Sequence, residues 1–277
     1  MTLQVDFHTH TTASDGHLDP AVLLQRSVEA EIALLAITDH DTLTGWSQVK
    51  DSVPDGLRLI SGLEVSCVWG GTTIHVVALN ASNQAPAFTE LLSALEQARL
   101  DRAEVIGQRL AKAGFPGALD GAREVAGREQ VGRPHFAQWL VECELVESMN
   151  VAFDRYLGQG KIGDVKTFWP SLASAITAVV AADGVPILAH PLHYKMTRTK
   201  LRALCSDFVA AGGLAVEVLN GRQREDEVAQ MITLAQSFGL EVSVGSDFHR
   251  DWDYGPKLGV DIARVGNGVK GVWERWL

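Results

Sequence analysis

Six of the nine histidines in this 277-residue chain, His8, His10, His40, His75, His190 and His249, lie in or just after short apolar runs, with Asp15, Asp39, Glu64 and Asp247 close by. A lone histidine is usually a satisfied core or surface residue, but six placed alike beside carboxylates read as a built metal site. In an extended segment, residues two apart point to the same side, so His8 and His10 can reach one ion. Imidazoles mixed with carboxylates, without thiolates, suit Mn, Fe or Zn ions with open positions rather than a closed structural zinc. His8, His10, Asp15, His40, Glu64, His75, His190, Asp247 and His249 make nine candidate ligands, too many for one ion and enough for two or three. Glu64 is the natural bridge, because its two oxygens can hold ions about 3.5 to 4 Å apart. Ions so held acidify a shared water and clamp phosphoryl oxygens, which favours phosphate ester hydrolysis.

The elements that must position these groups are legible as alternation. Near-continuous apolar runs at 3–7, 33–37, 57–60, 73–78, 185–189, 215–219 and 241–245 read as buried parallel strands. Helical stretches lie between several of them. Asp19 and Pro20 open one through residue 30, Ser171 opens another through 182, and 225–238 ends at Gly239. Strands alternating with helices imply an α/β barrel or a doubly wound sheet. The barrel is favoured because its strand ends converge on one face, whereas an open sheet spreads them along a line.

The middle differs. Residues 84–163 are helical and strand-poor, with amphipathic runs at 85–113 and 136–157, so they are expected to form a helical insertion capping a barrel made of 1–83 and 164–277. From Arg99 to Arg133, the basic residues Arg99, Arg102, Arg109, Lys112, Arg123, Arg128 and Arg133 outnumber the acidic ones, within a chain of formal charge −10. A basic stretch in an acidic chain suits an anionic substrate and argues against a general nucleic-acid-coating surface. Gly132-Arg133-Pro134-His135-Phe136 places an arginine and a histidine at an expected helix start, where backbone N–H groups also favour anions. Cys67, Cys143 and Cys205 are odd in number and widely spaced, as buried reduced thiols would be. No run approaches bilayer-spanning length and no signal peptide precedes the first strand, so a cytoplasmic protein without membrane attachment is expected, and no obligate protein partner is evident.

His8-Thr9-His10, Thr38-Asp39-His40-Asp41, Gly62-Leu63-Glu64, Ala189-His190-Pro191 and Ser246-Asp247-Phe248-His249 resemble the motifs of the PHP (polymerase and histidinol phosphatase) family along nearly the whole chain. The resemblance implies a distorted (β/α)7 barrel, commonly three metal ions, and phosphoester hydrolysis. It further implies one ion on His8, His10, Glu64 and Asp247, a second on Glu64, His75 and His190, and a third on Asp15, His40 and His249. Manganese is the first choice of metal, with iron or zinc as alternatives.

The insertion and the chain length are similar to the TrpH-like branch of that family, which includes nucleoside bisphosphate phosphatases and a 5′-to-3′ exoribonuclease. That likeness implies a nucleotide, or the 5′ end of a short RNA, with one phosphate on the metals. The other would be held by Arg99, Arg102 and Arg133 with His135. A hydroxide bridging the ions would attack phosphorus in line while a protonated His193 or His135, or a metal-bound water, assists the leaving oxygen. Glu217 and Asn220, at or after the end of another expected strand, are expected to face the site and to orient ligands or contact the substrate, with strand-end capping as the alternative. Histidinol phosphate is the rival substrate. An amidohydrolase acting on C–N bonds also begins with His-x-His, but such two-metal centres usually need a bridging carboxylated lysine where this chain has Glu64. A non-catalytic scaffold would be expected to have lost ligands, and none is missing.

Overall fold

Among the described residues, eight strands form one sheet in the order β7-β6-β5-β4-β3-β2-β1-β8. They are β1 (Gln4–Asp6), β2 (Ile32–Ile37), β3 (Arg58–Trp69), β4 (Thr72–Leu79), β5 (Val185–Leu188), β6 (Ala215–Asn220), β7 (Glu241–Gly245) and β8 (Val260–Asp261). The computed structural model describes residues 3–127, 130–253, 255–266 and 268–277. Arg128 and Glu129 of the basic stretch, and Met1 and Thr2 ahead of the first strand, lie outside the described residues. The chain divides into two compact units, Met1–Leu92 with Pro170–Leu277, and Ser93–Trp169.

The first unit holds the whole sheet. Past the end of β1, the Phe7 N–H donates to the Val244 carbonyl (3.2 Å), the Asp247 N–H to His8 (2.8 Å) and the His10 N–H to Phe248 (2.9 Å). These bonds bring the β1 and β7 ends together, so the sheet curls into the distorted barrel that the sequence predicts. The apolar runs lead one to expect parallel strands throughout, and the structure corrects this. β4 runs antiparallel to both β3 and β5, and β8 runs antiparallel to β1. The cause is local: Gly70 and Gly71, at φ 53° and 71°, make the two-residue reversal that joins β3 to β4 as a hairpin. In consequence β3 runs through Glu64 to Trp69 rather than stopping at residue 60.

The helices are α1 (Pro20–Glu29), α2 (Thr44–Val49), α3 (Pro86–Lys112), α4 (Ala118–Ala126), α5 (Arg133–Glu142), α6 (Met149–Ala152), α7 (Leu172–Val180), α8 (Arg198–Ala210) and α9 (Glu225–Phe238). Starts and stops follow side-chain chemistry: the Asp19 carboxylate accepts the Ala21 N–H (2.9 Å), Ser171 caps α7, and α9 ends on left-handed Gly239. Leu23 and Leu24 of α1 and Val49 of α2 pack with Ile32, Leu35, Ile37 and Phe248, fixing the strand ends that follow. No described helix is long and apolar enough to cross a membrane.

The second unit has its own core, in which Ile106 and Leu110 of α3 pack with Ala122, Phe136 and Leu140. The expected continuous helix at 136–157 is broken. α5 ends at Glu142, Glu144 takes a left-handed φ of 55°, and Ser148 then caps α6, which leads into a π-helical turn at Phe153–Leu157. Apolar spacing persists across that break, which is why periodicity alone ran through it.

Candidate metal centre

β3 and β4 supply the centre of the site. Glu64 lies mid-β3 opposite Val77, and His75 lies on β4 opposite Ser66, so both side chains share one face. Glu64 Oε1 lies 2.8 Å from His75 Nδ1 and 2.7 Å from His190 Nε2. Its Oε2 lies 3.3 Å from His8 Nε2, 3.3 Å from His10 Nε2 and 3.0 Å from His40 Nδ1. One buried carboxylate therefore touches five imidazoles, shared between its two oxygens.

Around it the remaining candidates close in. Asp247 Oδ1 lies 3.6 Å from His8 Nε2 and 3.4 Å from His10 Nε2. Asp15 reaches His10 (3.7 Å), His40 (3.7 Å) and His249 (3.4 Å). All nine side chains singled out by the sequence thus meet in the first unit, and their donor atoms fall into four overlapping groups: His10, Asp15, His40 and His249; His8, His10 and Asp247; His8, Glu64 and His190; and His40, Glu64 and His75.

The arrangement fits divalent ions on two counts. Atoms sharing an ion at about 2.1 Å stand about 3.0 to 3.4 Å apart, close to the separations above. In addition His8 Nε2, both ring nitrogens of His10, His40 Nδ1, His190 Nδ1 and Glu64 Oε2 are buried with no hydrogen-bond partner among the described residues. Such atoms are costly to bury without a ligand.

The electrostatics match this reading. Burial alone would pull His10 down, but Asp247 and Glu64 push it up to about 10. His8 is likewise opposed by burial, yet Glu64, Glu217 and Asp247 hold it well above its ordinary value. Burial raises Glu64, and His75, His40 and His8 more than reverse this, so it stays well below the usual carboxylate range. Asp15 behaves alike, with His40 and His249 outweighing burial. The cluster holds its carboxylates ionised and offers them to cations or protons.

Neighbouring groups orient these side chains. Glu217 Oε1 stands 3.1 Å from His8 Nδ1, leaving Nε2 toward the cluster, and its Oε2 accepts the His190 N–H at 2.7 Å. That second bond restrains a residue at φ 28°, ψ 56°. Asp41 and Asp247 also adopt left-handed φ, of 57° and 55°, so three strained non-glycine residues border the site, as functional sites often require. Asp39 does not face the cluster. It accepts from the Thr11 N–H (2.8 Å), the Thr11 hydroxyl (2.7 Å) and Ser14 (2.7 Å), and so holds the loop that carries Asp15. Tyr194, which sequence reasoning missed, accepts the His75 N–H and donates to the Ala189 carbonyl, both at 2.9 Å, tying β4 to the end of β5. Nothing in its sequence neighbourhood marks that role.

His193 stacks on His190, with ring centres 5.1 Å apart, and is lowered by burial and then by His190. Asn220, at the end of β6, is buried on a cavity wall beside Asp247 and His249. In the second unit, Arg99 and Arg102 lie over the Trp169 ring, at 5.6 and 5.3 Å from its centre. Arg102 Nε donates to the Val165 carbonyl (2.8 Å) and Arg133 to that of Leu157 (3.1 Å). His135 Nδ1 accepts the Gly132 N–H at 2.9 Å, which caps α5, so one face of this ring is spent on helix-start chemistry.

No protein-family model matches the chain. It is 41% identical over 277 residues to the 5′-3′ exoribonuclease of Haemophilus influenzae, covering 100% of both chains. Over 257 residues it is 38% identical to the 3′,5′-nucleoside bisphosphate phosphatase of Chromobacterium violaceum, covering 92% of this chain and 90% of that one. Among solved structures, one described as an amidohydrolase from C. violaceum with bound sulfate and no metal superposes with a TM-score of 0.87 at 36% identity, covering 98% of this chain and 95% of that one. With these relatives and its own nine converging side chains, the chain belongs to the PHP family of phosphoesterases, alongside the nucleoside bisphosphate phosphatase and the 5′-3′ exoribonuclease.

Proposed function

We propose that the chain hydrolyses phosphate esters of nucleotides: first, it removes a terminal phosphate from 3′,5′-nucleoside bisphosphates to give the 5′-monophosphate, and second, it cleaves short RNA exonucleolytically from its 5′ end. The observation that carries this is Glu64, buried and in reach of five imidazoles through both oxygens. Divalent ions bound there, manganese first, would supply Lewis acidity at the phosphoryl oxygens and acidify water. His8, His10 and Asp247 would hold one ion, Asp15, His40 and His249 another, and His75 and His190 a third position, with Glu64 shared. The donor set, without a thiolate, supports a hard or borderline ion.

The other residues have distinct tasks in this reading. Glu217 fixes the His8 ring and the His190 backbone. His193 is lowered first by burial and then by His190, which argues against the protonated imidazole that the sequence leads one to expect; it would donate a ring N–H hydrogen bond to the leaving oxygen as negative charge develops there, with water supplying the proton that oxygen finally takes. Arg99, Arg102, Arg133 and His135 of the second unit bind an anionic group of the substrate. The test is phosphate release by manganese-loaded protein from adenosine 3′,5′-bisphosphate, AMP and histidinol phosphate, and mononucleotide release from a 5′-phosphorylated RNA. Release from the bisphosphate or the RNA, with bound metal confirmed by elemental analysis, is the expected result. Release from histidinol phosphate alone would overturn the nucleotide reading, and bound metal with no release from any ester would overturn the phosphoesterase reading.

A further inference from the structure

A cavity of about 320 Å3, within the size range of small-ligand sites, begins at Asp247 and His249 and is walled farther out by Asn220, Arg222, Arg250 and Trp252. The cluster's own Asp247 is the single carboxylate among its lining residues. Its outer wall lies in loops that no sequence motif marked.

Three features of that wall point to a ligand. Trp252 is 58% exposed, although its indole lies on Gly255 so closely that a Cβ there would overlap the ring. A large aromatic is thereby held in place yet open to solvent. The Arg250 guanidinium stands 5.9 Å from the Trp252 ring centre, and Arg222 donates to the Gly255 carbonyl at 3.0 Å, so two cations border the same indole. Asn220 is 6% exposed; its carbonyl oxygen receives the Gln223 amide, while its own amide nitrogen is buried with no partner among the described residues. An unpaired amide donor of this kind carries a full desolvation cost unless a ligand meets it.

We infer that Trp252, Arg222, Arg250 and Asn220 form the wall that receives the nucleotide on the 3′ side of the scissile phosphate when the substrate is a single strand. The inference rests on the phosphoesterase reading, which puts the scissile phosphate at Asp247 and His249. Trp252 stacks the base, Arg222 and Arg250 face the phosphate on its 3′ side in strands longer than a dinucleotide, and the Asn220 amide donates to a base or sugar oxygen. A face-stacking aromatic with flanking guanidinium groups is the chemistry that holds single strands without reading their sequence. A nucleoside bisphosphate has no residue to place there, whereas a dinucleotide does.

The test compares kcat/KM for the 5′-phosphorylated dinucleotide pApA with that for pAp in wild type, Trp252→Ala, Trp252→Phe and Arg222→Ala. Trp252→Ala is expected to lower the pApA to pAp ratio about tenfold through KM, with Trp252→Phe restoring most of it. An unchanged ratio, or an equal loss on both substrates, overturns the subsite while the phosphoesterase reading stands. If wild type cleaves neither substrate, that reading has failed instead, and the subsite is judged by binding. Fluorescence anisotropy of a labelled hexaribonucleotide in EDTA then reads the Kd, and about tenfold weaker binding by Trp252→Ala supports the cavity, whereas equal Kd values overturn it.

Discussion

The two units each gather a set of polar side chains, and the sets differ in how they are satisfied. In the barrel unit, ring nitrogens of His8, His10, His40 and His190 and one oxygen of Glu64 are buried without a hydrogen bond among the described residues, although imidazoles stand 3.0 to 3.3 Å from that oxygen. In the helical unit, the Arg102 Nε is taken by the Val165 carbonyl, an Arg133 donor by that of Leu157, an Arg109 donor by that of Ile162, and the His135 Nδ1 by the Gly132 N–H. Buried polar atoms without internal partners are costly and persist where an external ligand meets them. The first set therefore reads as machinery whose partners come from outside. The second has part of its capacity committed to holding its own backbone.

The largest test of this contrast is Glu64→Ala. Removing the carboxylate that both halves of the cluster share should lower phosphate release by more than about a thousandfold and reduce the bound metal read by elemental analysis. Glu217→Gln should act more mildly, because it leaves every candidate ligand in place but weakens the hold on the His8 ring and the His190 N–H. A loss of about 10- to 100-fold in metal affinity, with a modestly lower melting temperature for metal-free protein because His8 loses a charge that helps hold it protonated, is the expected result. An effect on melting without one on affinity would make Glu217 a packing residue.

The charge state of the cluster gives a prediction with two opposite signs. His10 sits at about 10 in the folded, metal-free protein and near its ordinary value when unfolded. A raised imidazole stabilises the fold fully below the unfolded value of 6.5, and that stabilisation is lost as pH rises through about 10. Metal-free protein should thus melt progressively lower between those limits. Metal affinity should rise over the same range, by up to about tenfold per pH unit for each proton displaced. Parallel trends in the two titrations would show that ions and protons do not compete for these rings.

Much of the barrel unit was legible because its chemistry is written next to its strands. His8-Thr9-His10 follows an apolar run, and an extended backbone fixes which side chains point together. The candidates that follow strand ends needed only that those ends meet, whereas Glu64 and His75 lie within β3 and β4 and share a face through the hairpin register. Other features needed tertiary information. The Gly70-Gly71 reversal was in view, yet an apolar run carries no sign of direction, so β4 read as parallel. The break at Glu144 hides inside continuous helical spacing. Trp252 and Arg250 sit in a loop without periodicity, and only the fold brings them to the cavity edge beside Asp247.

The smallest expected effect sharpens the comparison from the helical side. Arg102 is 7% exposed, lies over Trp169 and donates to the Val165 carbonyl, so its aliphatic stem and one donor serve the unit's own packing. Losing that hydrogen bond and the ring contact should cost about 1 to 2 kcal/mol. Arg102→Lys keeps a cation but cannot reproduce the flat stacking or the Nε bond. If Arg102 is chiefly structural, both Arg102→Ala and Arg102→Lys should lower the melting temperature by similar amounts and leave KM for the bisphosphate nearly unchanged. If its remaining donors also meet the substrate, KM should rise severalfold in Arg102→Ala and less in Arg102→Lys, while the metal content of the barrel unit stays the same in both. A change in metal content would break the division itself, because the nine candidate ligands all lie in the first unit.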